Sequence, residues 1–376
     1  MRDLLDHADL SRYAGQFVWL ELNYDAPENR AFLTKYGAEA TPLFFVIDPR
    51  DEHVTATQPG AMSLQELKQF LDRGASGVFA KGQKPADAAL ARGDTLRTLQ
   101  PQEAVKAYQE ALHLAPATWP QRELAEASLV GALQDASQWQ ECAETAAREA
   151  AHMTRNTMFG RTVVTGMWCV VSTDPAPWSE AAARSLEALS KEALSLSVTV
   201  RDHRDELYRT LMNLSVARND NTSAAKWGEQ WLAELDAIKP TSDDERSALD
   251  IARVENIQAY GDPARILPAL IQSERAMPNN YIASLRLAEM QLAAKHYGEA
   301  IAACDRGLSR GPGASGRAWL LQMKAEALTK QGRKAEARVA LQEALKAAET
   351  IPDQMMRDMK VGMISNVLKA TEKPAN

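Results

Sequence analysis

The chain has 376 residues, of which 45% are hydrophobic and 25% charged, so it has the composition of a folded protein and the length of more than one compact unit. Its net charge of −7 argues against a nucleic-acid ligand, because phosphate binding requires a clustered basic face. Its most apolar run, Thr162 to Val171, is far shorter than the roughly 20 residues that cross a bilayer, so no membrane insertion is expected.

The first residues, Met1 to Tyr13, carry several aspartates and no apolar core segment, so they do not resemble a signal peptide. A cytoplasmic location is therefore expected for the chain as given. The alternative is a periplasmic or secreted location, which requires a segment with a signal peptide upstream of Met1.

The next residues predict a short α/β segment. In chain order its elements are a strand at 17–23, a helix at 27–35, a strand at 43–47, a second strand at 53–58 that pairs with it as a hairpin, and a helix from 63. Pro27 suits the first turn of a helix and Gly37 suits its end. Ser63 and Glu66 have the spacing of a capping box, which predicts the start of the last helix.

This order of elements, together with the segments KYGAEATPLFFVIDP and GAMSLQELKQFLDRG, resembles the second part of the thioredoxin fold over residues 11–73. The resemblance implies a cis peptide bond at Thr41–Pro42 and a loop that receives an extended peptide at these two residues. The alternative interpretation is a turn that leads into a buried strand. The resemblance also associates the segment with cell redox homeostasis, but the strands and the CxxC motif that precede this point in thioredoxins have no match here.

Self-similarity begins after residue 84. Residues 85–116 align with 281–312 and with 318–349, and the alignment places Ala104, Ala300 and Ala337 at one position. Each copy predicts two helices joined by a short turn, and the period is similar to that of the tetratricopeptide repeat. Small residues at this position are expected where the two helices of a repeat touch.

Less regular helical pairs fill the region between these copies. Pairs are predicted at 122–153, 157–196, 205–238 and 243–277, which gives about seven in all on the tetratricopeptide period. The predicted organisation is a thioredoxin-like segment that lacks its first strands and CxxC (1–73), a flexible linker (74–84), tetratricopeptide-like repeats (85–352), and a capping helix with a tail (353–376). The predicted fold class is mainly α: a tetratricopeptide-type helical-repeat superhelix preceded by a small, truncated α/β thioredoxin-like domain.

No motif of the chain indicates an enzyme. The cysteines Cys142, Cys169 and Cys304 form no CxxC pair and are expected to be buried structural residues. The histidines are scattered singly, without the spacing of a metal site. No catalytic residues, metal or cofactor are therefore predicted.

Tetratricopeptide arrays usually bind peptides on the face lined by the first helix of each repeat, so the resemblance implies a protein or peptide partner. The lysine and asparagine that clamp a terminal carboxylate in one subfamily are not matched, since Gly93, Glu289 and Glu326 stand at the asparagine position. The predicted peptide-binding residues of the chain are Thr41, Pro42, Glu289, Trp319, Gln322, Glu326 and Lys330.

Two functions remain open from the sequence. The first is a non-enzymatic interaction scaffold in which the thioredoxin-like piece is a redox-inactive cap or docking module. The second is a thiol–disulfide oxidoreductase whose CxxC-bearing strand lies upstream of Met1 and is missing from this chain.

Overall fold

The computed structural model describes residues 5, 7–24, 26–38, 41–60, 62–79, 84–172 and 179–372. The chain divides into two compact units, Met1–Asn221 and Thr222–Asn376. Helices dominate the described part of both units, which confirms the predicted mainly α fold class.

The first unit opens with the predicted hairpin and helices. Its elements up to residue 79 are α1 (Arg30–Tyr36), β1 (Leu43–Ile47), β2 (Val54–Pro59) and α2 (Leu64–Phe79), with short 3-10 helices at Ala8–Tyr13 and Pro27–Asn29. The two strands pair antiparallel, with Phe45 opposite Thr57. The capping box is formed, because the Ser63 N–H donates to Glu66 Oε2 at 2.8 Å and the Glu66 N–H donates to Ser63 Oγ at 3.3 Å. Both strand predictions and the helix start are confirmed.

The prediction of a strand at residues 17–23 is wrong. The segment is described, and it has neither helix nor strand. A strand needs a neighbour that satisfies its backbone N–H and C=O groups, and the sheet of the described residues contains only β1 and β2. Apolar side chains of the segment therefore stay at the surface, with Val18 88% and Leu20 74% exposed. The described sheet is smaller than the one the thioredoxin resemblance implies.

The predicted flexible linker, residues 74–84, begins as helix. Helix α2 continues to Phe79, and residues 80–83 lie outside the described part of the chain. Gly74 packs against β1 so closely that an added Cβ would lie 2.5 Å from Val46 Cγ2. The glycine is thus a contact point between helix and sheet, which the sequence pattern does not distinguish from a hinge.

The α/β segment is fixed to the first repeat helix, α3 (Pro85–Leu96). Thr57 Oγ1 donates to the Asp94 carbonyl at 3.0 Å, and Thr95 Oγ1 donates to the Val54 carbonyl at 2.7 Å. The buried Asp94 carboxylate also accepts from Arg73 Nε at 3.2 Å and from the Tyr108 hydroxyl at 2.8 Å. Burial raises the pKa of Asp94 in spite of the Arg73 charge beside it. Removing one member of this buried network would leave the others without partners, so the segment and the repeat hold each other in place.

The remaining helices follow the predicted repeat boundaries closely. The first unit continues with α4 (Pro101–Leu114), α5 (Arg122–Asp135), α6 (Trp139–Ala150), α7 (Thr157–Val171), α8 (Glu180–Ser195) and α9 (Arg201–Ala217). The second unit comprises α10 (Asn221–Ala237), α11 (Asp243–Tyr260), a 3-10 turn (Pro263–Arg265), α12 (Leu267–Ala276), α13 (Tyr281–Ala293), α14 (Tyr297–Ser309), α15 (Ala314–Lys330), α16 (Lys334–Glu349) and α17 (Gln354–Glu372). The boundary between the units falls at the start of α10, inside the pair predicted at 205–238. No helix of the described residues is long and apolar enough to cross a membrane.

The contact positions within the repeats are confirmed by burial. Ala104 is 0% exposed, and Ala300 and Ala337 are each 1% exposed. In the first repeat, an added Cβ at Gly93 would lie 2.5 Å from the Tyr108 ring, so only glycine lets α3 approach α4 so closely. Cys304, which aligns with Tyr108 in the repeat alignment, is 0% exposed, as expected for a core position.

A disulfide joins two of the buried cysteines, which the sequence analysis does not predict. Cys142 on α6 and Cys169 on α7 are both 0% exposed and are bonded to each other. Cys304 is the free thiol of the chain. The pattern predicts burial for each cysteine separately, but it does not show that Cys142 and Cys169 face one another across two consecutive helices.

The repeat packing can be tested at Ala300 on α14. The substitution Ala300→Trp should lower the free energy of unfolding by about 1–3 kcal/mol, because a large side chain forces a close helix pair apart. The matched control is Ala302→Trp, on the exposed side of the same helix. This substitution should change the free energy of unfolding by about 0.5 kcal/mol or less. Urea unfolding followed by circular dichroism measures both values. Equal values for the two variants would show that the repeat register is wrong.

Candidate interaction surface

Four of the sequence-predicted binding residues lie on α15. Trp319, Gln322, Glu326 and Lys330 follow helical spacing, so they share one face of this helix. Trp319, Glu326 and Lys330 are exposed, and Gln322 is half-buried. The opposite face of α15 enters a core with α16. The four residues therefore form a continuous stripe in the second unit.

The other three predicted binding residues lie elsewhere. Glu289 is half-buried on α13, which packs against α15 in the second unit. Thr41 and Pro42 belong to the first unit, where both are exposed. The peptide bond between them is cis, as predicted. The Pro42 carbonyl accepts the Gly60 N–H at 2.8 Å, so the residue continues the ladder of the hairpin.

The last helix, α17, adds a second exposed stripe that the sequence analysis did not identify. Ile364 is fully buried against α16, and Val361 and Leu368 pack beside it. On the other side of the helix, exposed apolar side chains follow at nearly every turn: Met355, Met356, Met359, Met363 and Val367. The helical spacing of these apolar residues was the signal in the sequence that could have identified the stripe. Methionine is common at surfaces that adapt to more than one partner side chain.

Lys360 lies between the packed side and the exposed side of α17. Its side chain is 0% exposed, and its ammonium group lies against the face of the Trp319 ring. Among the described residues, its Nζ atom has no hydrogen-bond acceptor. Burial lowers the pKa of Lys360 to about 8. A buried lysine amine without a hydrogen bond is unfavourable for folding, so an acceptor supplied by a bound ligand would stabilise it.

Gln322 offers the complementary group on α15, one turn after Trp319. Its Oε1 atom is buried and has no hydrogen-bond donor within the described part of the chain. Trp319 itself is 41% exposed. The surface formed by α15 and α17 thus combines an unused cationic donor, an unused amide acceptor, an exposed indole and a row of methionines. We call it the α15–α17 surface.

The buried Glu274 carboxylate connects neighbouring helices of the second unit. Glu274 on α12 accepts from Arg306 Nη2 on α14 at 2.8 Å and from the Ser284 hydroxyl on α13 at 2.6 Å. Burial alone would raise the pKa of Glu274, but the hydrogen bonds from Arg306 and Ser284 outweigh it and lower the pKa. Three helices are therefore tied together by one carboxylate, which gives the array a rigid base.

One group of the described residues has the geometry of a metal site. Asp48, Asp51 and His53 lie in the turn between β1 and β2, with candidate ligand atoms within 4.8 Å of one another. The Asp48 carboxylate, however, accepts from Arg50 Nε at 3.0 and 3.1 Å. The hydrogen bond from Arg50 lowers the pKa of Asp48 to about 2. The arginine already supplies the positive charge that a metal would bring, so the group is a structural ion pair.

The cysteines offer no reactive thiolate. Cys142 and Cys169 are oxidised to a disulfide, and burial raises the pKa of the Cys304 thiol to about 12. A thiol needs an exposed position and a lowered pKa to attack a disulfide. The buried His203 is a neutral imidazole at neutral pH, because burial and the nearby Arg161 charge lower its pKa to about 3.

The pKa of Lys360 makes the stability of the protein depend on pH. Between about pH 8 and the ordinary lysine value of 10.5, the folded chain binds fewer protons than the unfolded chain, so the free energy of unfolding rises with pH in this window. Lys360→Met should therefore stabilise the protein at pH 7 by on the order of 1–3 kcal/mol, and the gain should shrink towards pH 10.5. Lys369→Met, on the exposed side of the same helix, is the control and should show no such trend in thermal unfolding. If the stability gained by Lys360→Met did not change with pH, the conclusion that Lys360 is buried and charged below about pH 8 would be wrong.

Comparisons with known proteins match part of the chain to tetratricopeptide repeats. A family model described as a tetratricopeptide repeat-like domain matches residues 205–365. No curated protein matches the chain. Among solved structures, a tetratricopeptide repeat protein from Parabacteroides merdae is 13% identical, covers 77% of this chain and 100% of its own, and superposes with a TM-score of 0.42. The TPR2AB domain of yeast Sti1, solved in complex with pHSP90, is 14% identical, covers 77% of this chain and 98% of its own, and has a TM-score of 0.31. The family match supports the predicted tetratricopeptide character for residues 205–365, which include α13, α15 and most of α17.

Proposed function

We propose that the protein is a non-enzymatic interaction scaffold, and that the α15–α17 surface binds a peptide segment of a protein partner. The observation that carries the proposal is the juxtaposition of Trp319 with the exposed methionines of α17, around two buried polar groups that lack partners. Exposed apolar patches with a few fixed polar groups are typical of protein interaction sites. Exposed tryptophan is enriched among residues that dominate binding energy.

The family match is consistent with this proposal. In a helical-repeat array, each repeat contacts its neighbours, and the extended surface along the array serves binding rather than chemistry. The predicted residues Glu326 and Lys330 continue the Trp319 stripe along α15, and Glu289 lies on α13, which packs against α15. We keep all three as candidates for contacts beside Trp319 and Gln322.

For the N-terminal segment, we propose the role of a redox-inactive cap on the first repeat. Support comes from the hydrogen bonds that fix β2 and α2 to α3 and from the exposed Thr41–Pro42 loop. We base the proposed thioredoxin-like character of this segment on the sequence resemblance and the hairpin. The oxidoreductase alternative gains no support from the chain's own cysteines, since none is an accessible thiolate.

From the buried disulfide we infer that the chain folds in an oxidising compartment, because disulfides persist mainly in secreted and periplasmic proteins. This favours the periplasmic or secreted alternative over the cytoplasm. Cells can be quenched with an alkylating reagent, and the thiols of the protein can then be counted by mass spectrometry. We expect one alkylated cysteine, Cys304, after denaturation, and three after reduction. Three alkylated cysteines without reduction would contradict the inferred compartment.

The proposed binding surface can be tested by panning phage-displayed random peptides on the purified protein. Peptides enriched on the wild type should lose at least about tenfold in affinity for Trp319→Ala, since truncating a central aromatic residue commonly costs 2 kcal/mol or more. The matched control is Val339→Ala, which truncates an exposed apolar side chain on α16 and should leave the affinity unchanged. Equal affinity for Trp319→Ala and the wild type would place the binding elsewhere and overturn the proposal.

A further inference from the structure

We infer that Lys360 binds an acidic side chain located inside the bound segment, not at its end, and that Gln322 accepts a backbone N–H of the same segment. The inference rests on the proposed function, because it names the chemistry of the partner at the same surface. It is carried by the unpaired polar atoms of these two residues and by the distribution of methionines around Lys360.

The two unpaired atoms are complementary to a peptide carrying a carboxylate. Lys360 Nζ is a cationic donor without an acceptor, and Gln322 Oε1 is an acceptor without a donor, each within the described part of the chain. A bound aspartate or glutamate supplies a carboxylate oxygen to the ammonium group. A backbone N–H of the same segment supplies the donor to the glutamine. Such charge-assisted hydrogen bonds are among the strongest in proteins, and here they satisfy groups that are already desolvated.

A single positive charge favours a carboxylate over a phosphate. The nearby Lys324 on α15 is already paired with Asp305, at 2.6 Å. Lys360 contributes a buried ammonium group to the α15–α17 surface, and its single charge matches that of a carboxylate. Phosphate recognition usually uses clustered arginines. Arg357, one turn before Lys360 on α17, already donates from Nη1 to the Ile351 carbonyl at 3.0 Å.

The methionines on either side of Lys360 support a segment that continues past the carboxylate in both directions. Met356 lies one turn before Lys360 and Met363 lies one turn after it, with exposures of 41% and 42%. Met359 and Val367 continue the apolar stripe on the same side of α17. A chain terminus bound at Lys360 would leave one half of this stripe uncovered. An internal acidic residue with apolar neighbours covers both halves.

Trp319 controls access to the ammonium group. Its ring lies on Lys360 and its side chain is 41% exposed, so in this proposal the ring moves towards solvent when the segment binds. The carboxylate then takes the place of the ring face as the partner of the cation. The indole remains at the surface and packs against an apolar residue of the bound segment.

The test uses two phage-displayed random libraries without free carboxyl ends, one with a central aspartate and one with a central asparagine, and a third library with a free carboxyl end. On the full-length wild type, we expect enrichment from the aspartate library, at least about tenfold over the asparagine library. Lys360→Met should abolish this preference while the protein stays folded by circular dichroism. Lys360→Arg should retain it, and Lys369→Met serves as the charge-matched control.

The outcomes separate the two proposals. Equal enrichment from the aspartate and asparagine libraries, or enrichment that survives Lys360→Met, overturns the acidic subsite, but it leaves the α15–α17 surface standing if Trp319→Ala still weakens binding. Enrichment only from the free-carboxyl library overturns the internal position of the acid. Failure to enrich any peptide, or enrichment insensitive to Trp319→Ala, overturns the proposed function itself.

Discussion

The close approach of paired helices at small side chains is the constraint on which the rest of this structure depends. Ala104, Ala300 and Ala337 are almost completely buried at equivalent positions of three repeats. At Gly93 there is no space even for a methyl group beside the ring of Tyr108. Because dense packing fixes the distance between the helices, each pair presents one defined outer face. This packing brings side chains of separate helices, such as Trp319 and Lys360, into contact.

The same packing explains why the α15–α17 surface is unusual. Helix α17 has no further repeat after it among the described residues, so only one of its faces is buried, through Ile364 and its neighbours. The other side of α17 carries the exposed methionines. A buried lysine without an acceptor is costly for a folded protein and is readily replaced by an apolar residue of similar size. Its presence beside an exposed tryptophan is most simply explained by a ligand that completes the site.

The sequence predicts those features that depend on local patterns. Helix periodicity, the capping box at Ser63 and the alanines of the repeats each reflect contacts within one or two helices, so the mainly α fold and most boundaries are recovered. The strand at 17–23 is mispredicted because a strand exists only with a partner, and its own residues cannot reveal whether that partner is present. Gly74 is wrongly predicted to lie in a flexible linker, because the sequence does not distinguish a glycine that permits close packing from one that permits bending. The α15 residues of the candidate site follow from the repeat register. The position of Lys360 and the disulfide cannot be predicted from the repeat register, since both depend on which side chains of separate helices face each other.

The most direct measurement of the central claim is methyl NMR on protein labelled at its 13 methionines. Titration with an aspartate-centred peptide enriched on the wild type should shift the methyl signals of Met356, Met359 and Met363, and Lys360→Met should remove these shifts. Methionines in the first unit, such as Met158 and Met212, should stay unchanged. Unchanged signals on α17, with shifts at Met158 or Met212 instead, would contradict the assignment of the α15–α17 surface as the binding site.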